Sequence, residues 1–193
     1  QNTLGIIALT DHDTTSGLAE AREYARKFPS LRVIPGVEIS TNQDEDELHI
    51  LGYGIDENAS KLKELLQQAQ KNRKKRIRRI LESLKTANIT LNFEEVGDRE
   101  NSVSLGRLHV AQLLVRRGHV RTIREAFDRY LGYETNLISY STTDFVSSQE
   151  AIETILDAGG VAVLAHPTIA LFDRYIDRLI EFGLQGVEVF KSS

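Results

Sequence analysis

Short apolar runs of strand length are the feature of the sequence that most constrains the fold. Five such runs recur along the chain, at residues 4–9, 31–39, 48–55, 161–165 and 186–190. Continuous apolar runs of this length are typical of strands that are buried on both faces. Because helical patterns separate several of the runs, the spacing predicts parallel α/β units and therefore an α/β fold.

The middle of the chain has a different pattern. Between residues 59 and 87, leucine, isoleucine and alanine recur at intervals of three and four, which indicates a long amphipathic helix. Further helical patterns follow near residues 108–117 and 123–131. We therefore predict an all-helical insertion at 57–140 between two portions of the α/β part, 1–56 and 141–193.

Composition limits the classes of function that this chain can have. Of its 193 residues, 40% are hydrophobic and 27% charged, which is the balance of a soluble globular protein. The net charge of −4 argues against a general nucleic-acid binder, and stable binding of duplex DNA is not expected. The sequence has no cysteine, so any metal must be held by imidazole and carboxylate groups. We expect no signal peptide and no membrane span, and a cytoplasmic location.

Four residues of metal-ligand type lie in or directly after the predicted strands. His12 and His166 follow the first and fourth apolar runs, Glu38 lies towards the end of the second, and His49 lies inside the third. Taken singly, a histidine or a glutamate in an apolar strand is usually a hydrogen-bonded or ion-paired core residue. Four such groups from four strands favour a shared site, and imidazole with carboxylate suits manganese, iron or zinc.

Several motifs in fixed order resemble those of the PHP (polymerase and histidinol phosphatase) family. They are ALTDHDTTSGLAEA from Ala8, PGVEIS from Pro35, ELHILGYGI from Glu47, GRLHVAQLLVRRGHV from Gly106, EAFDRYL from Glu125 and VAVLAHP from Val161. The Thr-Asp-His run alone would be weak, but the ordered series covers nearly the whole chain. It is most similar to the subgroup of nucleoside 3′,5′-bisphosphate phosphatases and 5′-3′ exoribonucleases.

The resemblance implies a distorted seven-stranded β/α barrel with two or three divalent ions at the strand ends, manganese, iron or zinc, with magnesium as a further option. It implies that Glu38 bridges the first and second ions, and that His49 and His166 complete the second. His12 resembles a ligand of the third ion. Asp11 is given no ligand role, and we expect it to orient a ligand ring.

The implied reaction is hydrolysis of phosphate monoesters of small nucleotides, or of the 5′ ends of short RNA, by a metal-activated water. Arg107 and His109 resemble the residues that hold a substrate phosphate, and arginine suits this role because its donors form a fixed fork. Alternatively, Arg107 caps or pairs within the helical block. Three further alternatives are a histidinol-phosphatase-like enzyme, a polymerase-associated domain and a non-catalytic module of the same fold.

Two motifs of the family have no counterpart in these 193 residues. The family opens with a strand bearing His-x-His and closes with one bearing Ser-Asp-x-His, and both supply metal ligands. The resemblance therefore implies that the residues given form an incomplete barrel with a partial metal cluster.

A basic run at residues 71–79, KNRKKRIRR, stands out within the predicted long helix. It is either a nucleic-acid-binding patch or a solvated helix face whose isoleucines point inward. The sequence favours the solvated face, because Glu64 and Glu82 lie on the same helix and the chain as a whole is acidic.

Overall fold

The computed structural model describes residues 4–97, 104–135, 137–138 and 145–189, which form a mixed α/β structure. Its helices and strands are β1 (Ile6–Leu9), α1 (Leu18–Ala25), β2 (Arg32–Gln43), β3 (Asp46–Tyr53), α2 (Ser60–Lys85), α3 (Arg107–Arg116), α4 (Ile123–Ala126), β4 (Val146–Ser147), α5 (Ser148–Asp157), β5 (Val161–Leu164), α6 (Ile169–Glu181) and β6 (Gly186–Val187). The five apolar runs each contain a strand, and the α/β class is confirmed. The end of the fifth run, Phe190, lies outside the described residues.

The strands form a sheet of order β1-β2-β3-β5-β6, and β4 pairs with β2. β1 is parallel to β2, but β3 is antiparallel to both β2 and β5. The prediction of parallel units was therefore wrong for β3. The physical reason is a two-residue turn at Asp44-Glu45, where Asp44 adopts a φ of 54° and lets the chain reverse directly.

β2 is longer than its apolar run. Four polar residues, 40–43, continue the strand beyond Ile39, so Glu38 lies in its middle and not towards its end as predicted. Thr41 and Gln43 are buried, and the Thr41 hydroxyl donates to the Leu48 carbonyl oxygen at 3.0 Å. The hairpin with β3 thus satisfies polar groups that the sequence pattern placed outside the strand.

The chain divides into two compact units, and each has its own apolar core. The sheet unit comprises Gln1–Ala69 and Phe145–Ser193, and the helical unit comprises Gln70–Asp144. In the sheet unit, strand residues such as Ile39 and Ile50 pack with Ile152 and Ile155 of α5. In the helical unit, Ile77, Ile80 and Leu84 of α2 pack with Leu113 and Leu114 of α3.

The predicted helices of the middle region are confirmed by α2, α3 and α4. A single π-helical turn at Phe127–Leu131 continues α4. The predicted limits of the helical insertion, 57 and 140, stay a prediction, and the second limit lies outside the described residues. Among the residues that the structure describes, no helix combines the length and the apolar character needed to cross a membrane.

Candidate metal centre

The four predicted ligand residues of the sheet unit lie together, and we call them the imidazole–carboxylate cluster: His12, Glu38, His49 and His166. His12 and His166 each follow the carboxyl end of a strand, β1 and β5 respectively. Glu38 and His49 lie on β2 and β3, where Glu38 is opposite Leu51 and Ser40 is opposite His49. Glu38 and His49 are therefore diagonal neighbours on one face of the hairpin, within contact distance of each other.

Three imidazole rings converge on the Glu38 carboxylate. Its Oε1 lies 2.8 Å from Nδ1 of His49 and 3.1 Å from Nε2 of His166, and its Oε2 lies 3.8 Å from Nε2 of His12. The two ring nitrogens of His49 and His166 lie 3.3 Å apart. Donor atoms of His12, Glu38 and His49 all lie within 4.8 Å of one another.

This spacing fits a divalent cation. Ligand bonds of about 2.0–2.2 Å in a tetrahedral site would set neighbouring donor atoms about 3.4 Å apart, which is close to the distances in the cluster. The chemistry of the donors also fits, because three neutral imidazoles and one carboxylate form a common ligand set for transition-metal ions.

The electrostatics of the cluster also favour a bound cation. Burial opposes the ionisation of Glu38, but hydrogen bonds and positive charge from the histidines outweigh it and lower the pKa of Glu38 to about 2. Burial also opposes charge on His49, yet its hydrogen bonds to Glu38 and Glu47 raise its pKa to about 9. The cluster therefore holds a carboxylate that requires a positive partner, and a bound cation would take the place of that proton.

Glu47 supports His49 from the side opposite Glu38. Its Oε1 lies 3.3 Å from Nε2 of His49, while Nδ1 of the same ring points to Glu38. Because Glu47 and His49 are two residues apart on one strand, their side chains leave the same face. A carboxylate that accepts one ring N–H fixes the tautomer and leaves the other nitrogen free to bind a metal.

Two positions with left-handed backbone orient His12 and His166, the histidines that follow strands. Asp13, next to His12, has a φ of 52°, and its buried carboxylate accepts the Ser40 N–H at 2.8 Å. His166 itself has a φ of 30°, and its N–H donates to Oε2 of Glu188 at 2.9 Å. Left-handed backbone is costly for residues other than glycine, so these carboxylate contacts hold both segments in place.

The carboxylates that support the ligand residues are Glu47, Asp13 and Glu188, and not the predicted Asp11. The Asp11 side chain is exposed and forms no side-chain hydrogen bond to the residues that the structure describes. Its main chain instead pairs with Glu38, since the Asp11 carbonyl accepts the Glu38 N–H at 3.1 Å, and its side chain leaves the face opposite to that of His12. The alternation of strand residues was the signal that could have identified Glu47 from sequence.

The predicted phosphate-binding pair lies in the helical unit, at the first turn of α3. Nδ1 of His109 accepts the N–H of Gly106, the N-cap residue, at 3.1 Å. This is one half of a capping box, with the histidine ring in the place of the usual glutamate. Burial lowers the pKa of His109, so the ring is neutral and carries its proton on Nε2.

Arg107 stacks on aromatic rings of the same unit. Its guanidinium carbon lies 4.3 Å from the centre of the Tyr133 ring and 6.0 Å from that of Phe127. Stacking restrains the plane of the guanidinium. The alternative prediction, that Arg107 caps or pairs within the helical block, stays open, since both rings on which it stacks belong to that unit.

Comparison with known proteins gives several similar sequences and structures. The chain is 36% identical over 179 residues to the 5′-3′ exoribonuclease Rnm of Salmonella typhimurium, which covers 92% of this chain and 60% of that protein. It is 37% identical over 196 residues to the 3′,5′-nucleoside bisphosphate phosphatase of Chromobacterium violaceum, with 97% and 67% covered. A crystal structure from Bifidobacterium adolescentis, provisionally assigned as a metal-dependent phosphoesterase, is 27% identical with a TM-score of 0.86 and covers 97% of this chain and 67% of that one.

These relatives are longer than this chain, which spans about 60% of the length of the Salmonella protein. A comparison with models of protein families gives no match. The relatives nevertheless align over almost the whole of these 193 residues, through sheet and helical unit alike. The chain belongs to the PHP family of phosphoesterases, in the subgroup of the bisphosphate phosphatases and exoribonucleases.

Proposed function

We propose that this protein hydrolyses phosphate monoesters of small nucleotides, such as nucleoside 3′,5′-bisphosphates or the 5′ ends of short RNA, with divalent metal ions. The observation that carries the proposal is the convergence of three imidazoles on one buried carboxylate, at distances that suit a cation. The named activities of the Salmonella and Chromobacterium relatives support the choice of nucleotide substrates.

The ligand assignment is part of the proposal. Glu38 would bridge two ions, His49 and His166 would complete one of them, and His12 would bind a further ion. Two or three ions of manganese, iron or zinc, with magnesium as a further option, would polarise the phosphoryl oxygens and lower the pKa of a coordinated water. The proposed fold around them is the distorted seven-stranded barrel of the family, to which the observed sheet would contribute.

The residues of the cluster have distinct tasks. Glu38 supplies the negative charge that attracts cations, and its burial strengthens that attraction because water screens it less. Glu47 holds the His49 ring so that Nδ1, and not Nε2, faces the other donors. Glu188 and Asp13 hold the main chain at the two strained positions, which keeps His166 and His12 directed at Glu38.

Arg107 and His109 would bind a phosphate group of the substrate. The Arg107 guanidinium can donate two parallel N–H bonds to phosphate oxygens, and its stacking on Tyr133 reduces the entropy lost on binding. Neutral His109 uses Nδ1 to accept from Gly106, so it can donate only from Nε2. The pair thus offers N–H donors to a phosphate group.

Phosphate release by the whole protein tests the proposal. With manganese present, we expect release from a nucleoside 3′,5′-bisphosphate, and a fall of at least about 100-fold in His49→Ala, because loss of a ligand should exceed the effect of losing a supporting group. His119→Ala is the matched control, since it removes a histidine of the helical unit that is outside both sites. Equal rates in wild type and His49→Ala would refute the proposal, and release from histidinol phosphate alone would assign a different phosphatase activity.

A further inference from the structure

Helix α2 carries a concentrated run of positive charge, which we call the basic segment, residues 71–79. Seven of its nine residues are lysine or arginine. Five of them are exposed: Lys71, Lys74, Lys75, Arg78 and Arg79. The buried side of the segment is anchored by Ile77. The charges therefore project from a helix whose position is fixed by the core of the helical unit.

The three lysines of this segment are not paired with carboxylates of the described residues. Within the described residues, Lys71, Lys74 and Lys75 form no ion pair, whereas Glu82 on the same helix already pairs with Lys85 at 2.8 Å. The chain as a whole has a net charge of −4, so positive charge is segregated into this helix and the remainder is strongly acidic. Such segregation creates a local field that attracts polyanions in spite of the overall charge.

The basic segment is continuous with the proposed phosphate-binding residues in the same unit. Nη2 of Arg76 lies 3.5 Å from the Tyr133 hydroxyl, and the Tyr133 ring lies against the Arg107 guanidinium. One turn earlier, Arg73 donates to the Leu105 carbonyl oxygen at 3.2 Å, directly before the N-cap of α3. The side of α2 that carries Arg73 and Arg76 therefore adjoins the first turn of α3, and the lysines of the segment extend the positive charge around the exposed side of the same helix.

Aromatic groups are interleaved with these charges. Tyr133 is 53% exposed although its ring contacts Arg107, so part of the ring remains accessible to a ligand. The Arg78 guanidinium lies 4.1 Å from the centre of the Phe93 ring, which also keeps an arginine plane at the surface. Exposed rings and arginine planes among phosphate-binding cations are typical of surfaces that bind single strands, because unpaired bases can stack on them.

We propose that the basic segment of α2 binds the phosphodiester backbone of a single-stranded oligonucleotide whose terminal phosphate is held by Arg107 and His109. This inference rests on the proposed function, since that function places a nucleotide phosphate at the first turn of α3. The lysines contribute point charges that attract phosphates without reading bases. The segment therefore extends a mononucleotide site into a surface for a short chain.

RNA binding in the absence of metal tests the inference without any need for catalysis. The probe is a 5′-phosphorylated, 3′-labelled single-stranded RNA of roughly 12 nucleotides, titrated in EDTA and followed by fluorescence anisotropy. We compare wild type with the triple variant Lys71→Gln, Lys74→Gln, Lys75→Gln. The control is Lys61→Gln, Lys63→Gln, Lys85→Gln, which removes the same charge from the same helix outside the segment.

We expect the triple variant to bind at least tenfold more weakly at low salt. The slope of log K against log salt should fall by about 2, because each lost phosphate contact on a single strand removes about 0.7. The control should bind like wild type. Equal affinity and slope in both triple variants would overturn the inference, and so would equally tight binding of a duplex or of anionic vesicles to the same segment.

Turnover of a nucleoside 3′,5′-bisphosphate separates this inference from the proposed function. Both triple variants should release phosphate from that small substrate at the wild-type rate, because none of the replaced lysines is among the residues proposed to hold its phosphate. If no variant, including wild type, hydrolyses the bisphosphate while RNA binding still depends on the segment, the proposed chemistry fails and the binding surface stands.

Discussion

The two units of the molecule assemble functional side chains in opposite ways. The imidazole–carboxylate cluster of the sheet unit brings together residues that are 154 positions apart in the chain, from His12 to His166. Arg107 and His109 in the helical unit lie two positions apart within one helical turn. The first arrangement depends on strand pairing across the whole sheet, whereas the second depends on one N-cap and an adjacent aromatic ring.

Assembly of the cluster from distant strands requires strained backbone, whereas assembly of the helical pair does not. The cluster requires left-handed backbone at Asp13 and His166, and each of these positions is held by a carboxylate contact to or from another segment. The helical pair needs no unusual backbone, since Gly106 is extended and His109 continues a regular helix. We therefore expect mutations in the sheet unit to have larger and less local effects than those in the helical unit.

The largest expected effect is that of Glu38→Gln on metal content. The substitution keeps the shape of the side chain but removes the carboxylate on which the three imidazoles converge. Metal measured by elemental analysis should fall to background, because the remaining neutral ligands no longer balance the charge of a cation. Glu153→Gln, an exposed carboxylate of α5, is the control and should leave the metal content unchanged.

The same variant sharpens the contrast between the units. RNA affinity of Glu38→Gln, measured without metal, should equal that of wild type if the helical unit assembles its site independently. If Glu38→Gln lost both its metal and its affinity for RNA, the two sites would be coupled. That result would contradict the independent assembly of the two sites.

An intermediate effect is expected for Glu47→Gln. Its Oε1 accepts from Nε2 of His49, and an amide in that place can present its NH₂ group to the ring and stabilise the wrong tautomer. Loss of such a supporting carboxylate typically weakens metal binding by about 10- to 100-fold. Titration with Mn²⁺ by isothermal calorimetry measures the shift, and an unchanged affinity would remove the supporting role of Glu47.

The sequence predicted the positions of the strands better than their directions. Apolar runs identified β1, β2, β3 and β5. The expected burial on both faces was wrong for β1, since none of its four residues is buried and Ile6 is exposed. The antiparallel direction of β3 was missed, because its two-residue turn, Asp44-Glu45, lacks the glycine that usually marks such turns. β4 has only two residues, Val146 and Ser147, and is too short to leave any pattern.

The candidate site shows a similar division. Residue chemistry and the resemblance together pointed to His12, Glu38, His49 and His166, and the structure places all four side chains in contact range. The contributions of Asp13 and Glu188 were missed, since each acts on the main chain of another segment and depends on tertiary pairing. The support from Glu47 was within reach, because strand alternation places it beside His49.

The smallest expected effect concerns the pH dependence of stability at His109. Burial lowers the pKa of His109 in the folded state, whereas the unfolded value is near 6.5. Its stabilising contribution is therefore complete above about pH 6.5 and is lost as the pH falls, because the unfolded chain takes up a proton that the folded ring resists. His109→Gln keeps an acceptor for the Gly106 N–H but does not titrate.

Thermal unfolding of wild type, His109→Gln and His109→Ala at pH 8 and pH 5.5 measures this effect. At pH 8 we expect His109→Gln to match wild type and His109→Ala to unfold about 1–3 °C lower, because alanine leaves the cap unmade. At pH 5.5 His109→Gln should exceed wild type, because the substitution removes the buried ring that resists protonation in the folded state. A constant difference in unfolding temperature between wild type and His109→Gln at both pH values would contradict this prediction. It would show that burial does not hold the His109 ring in its neutral form.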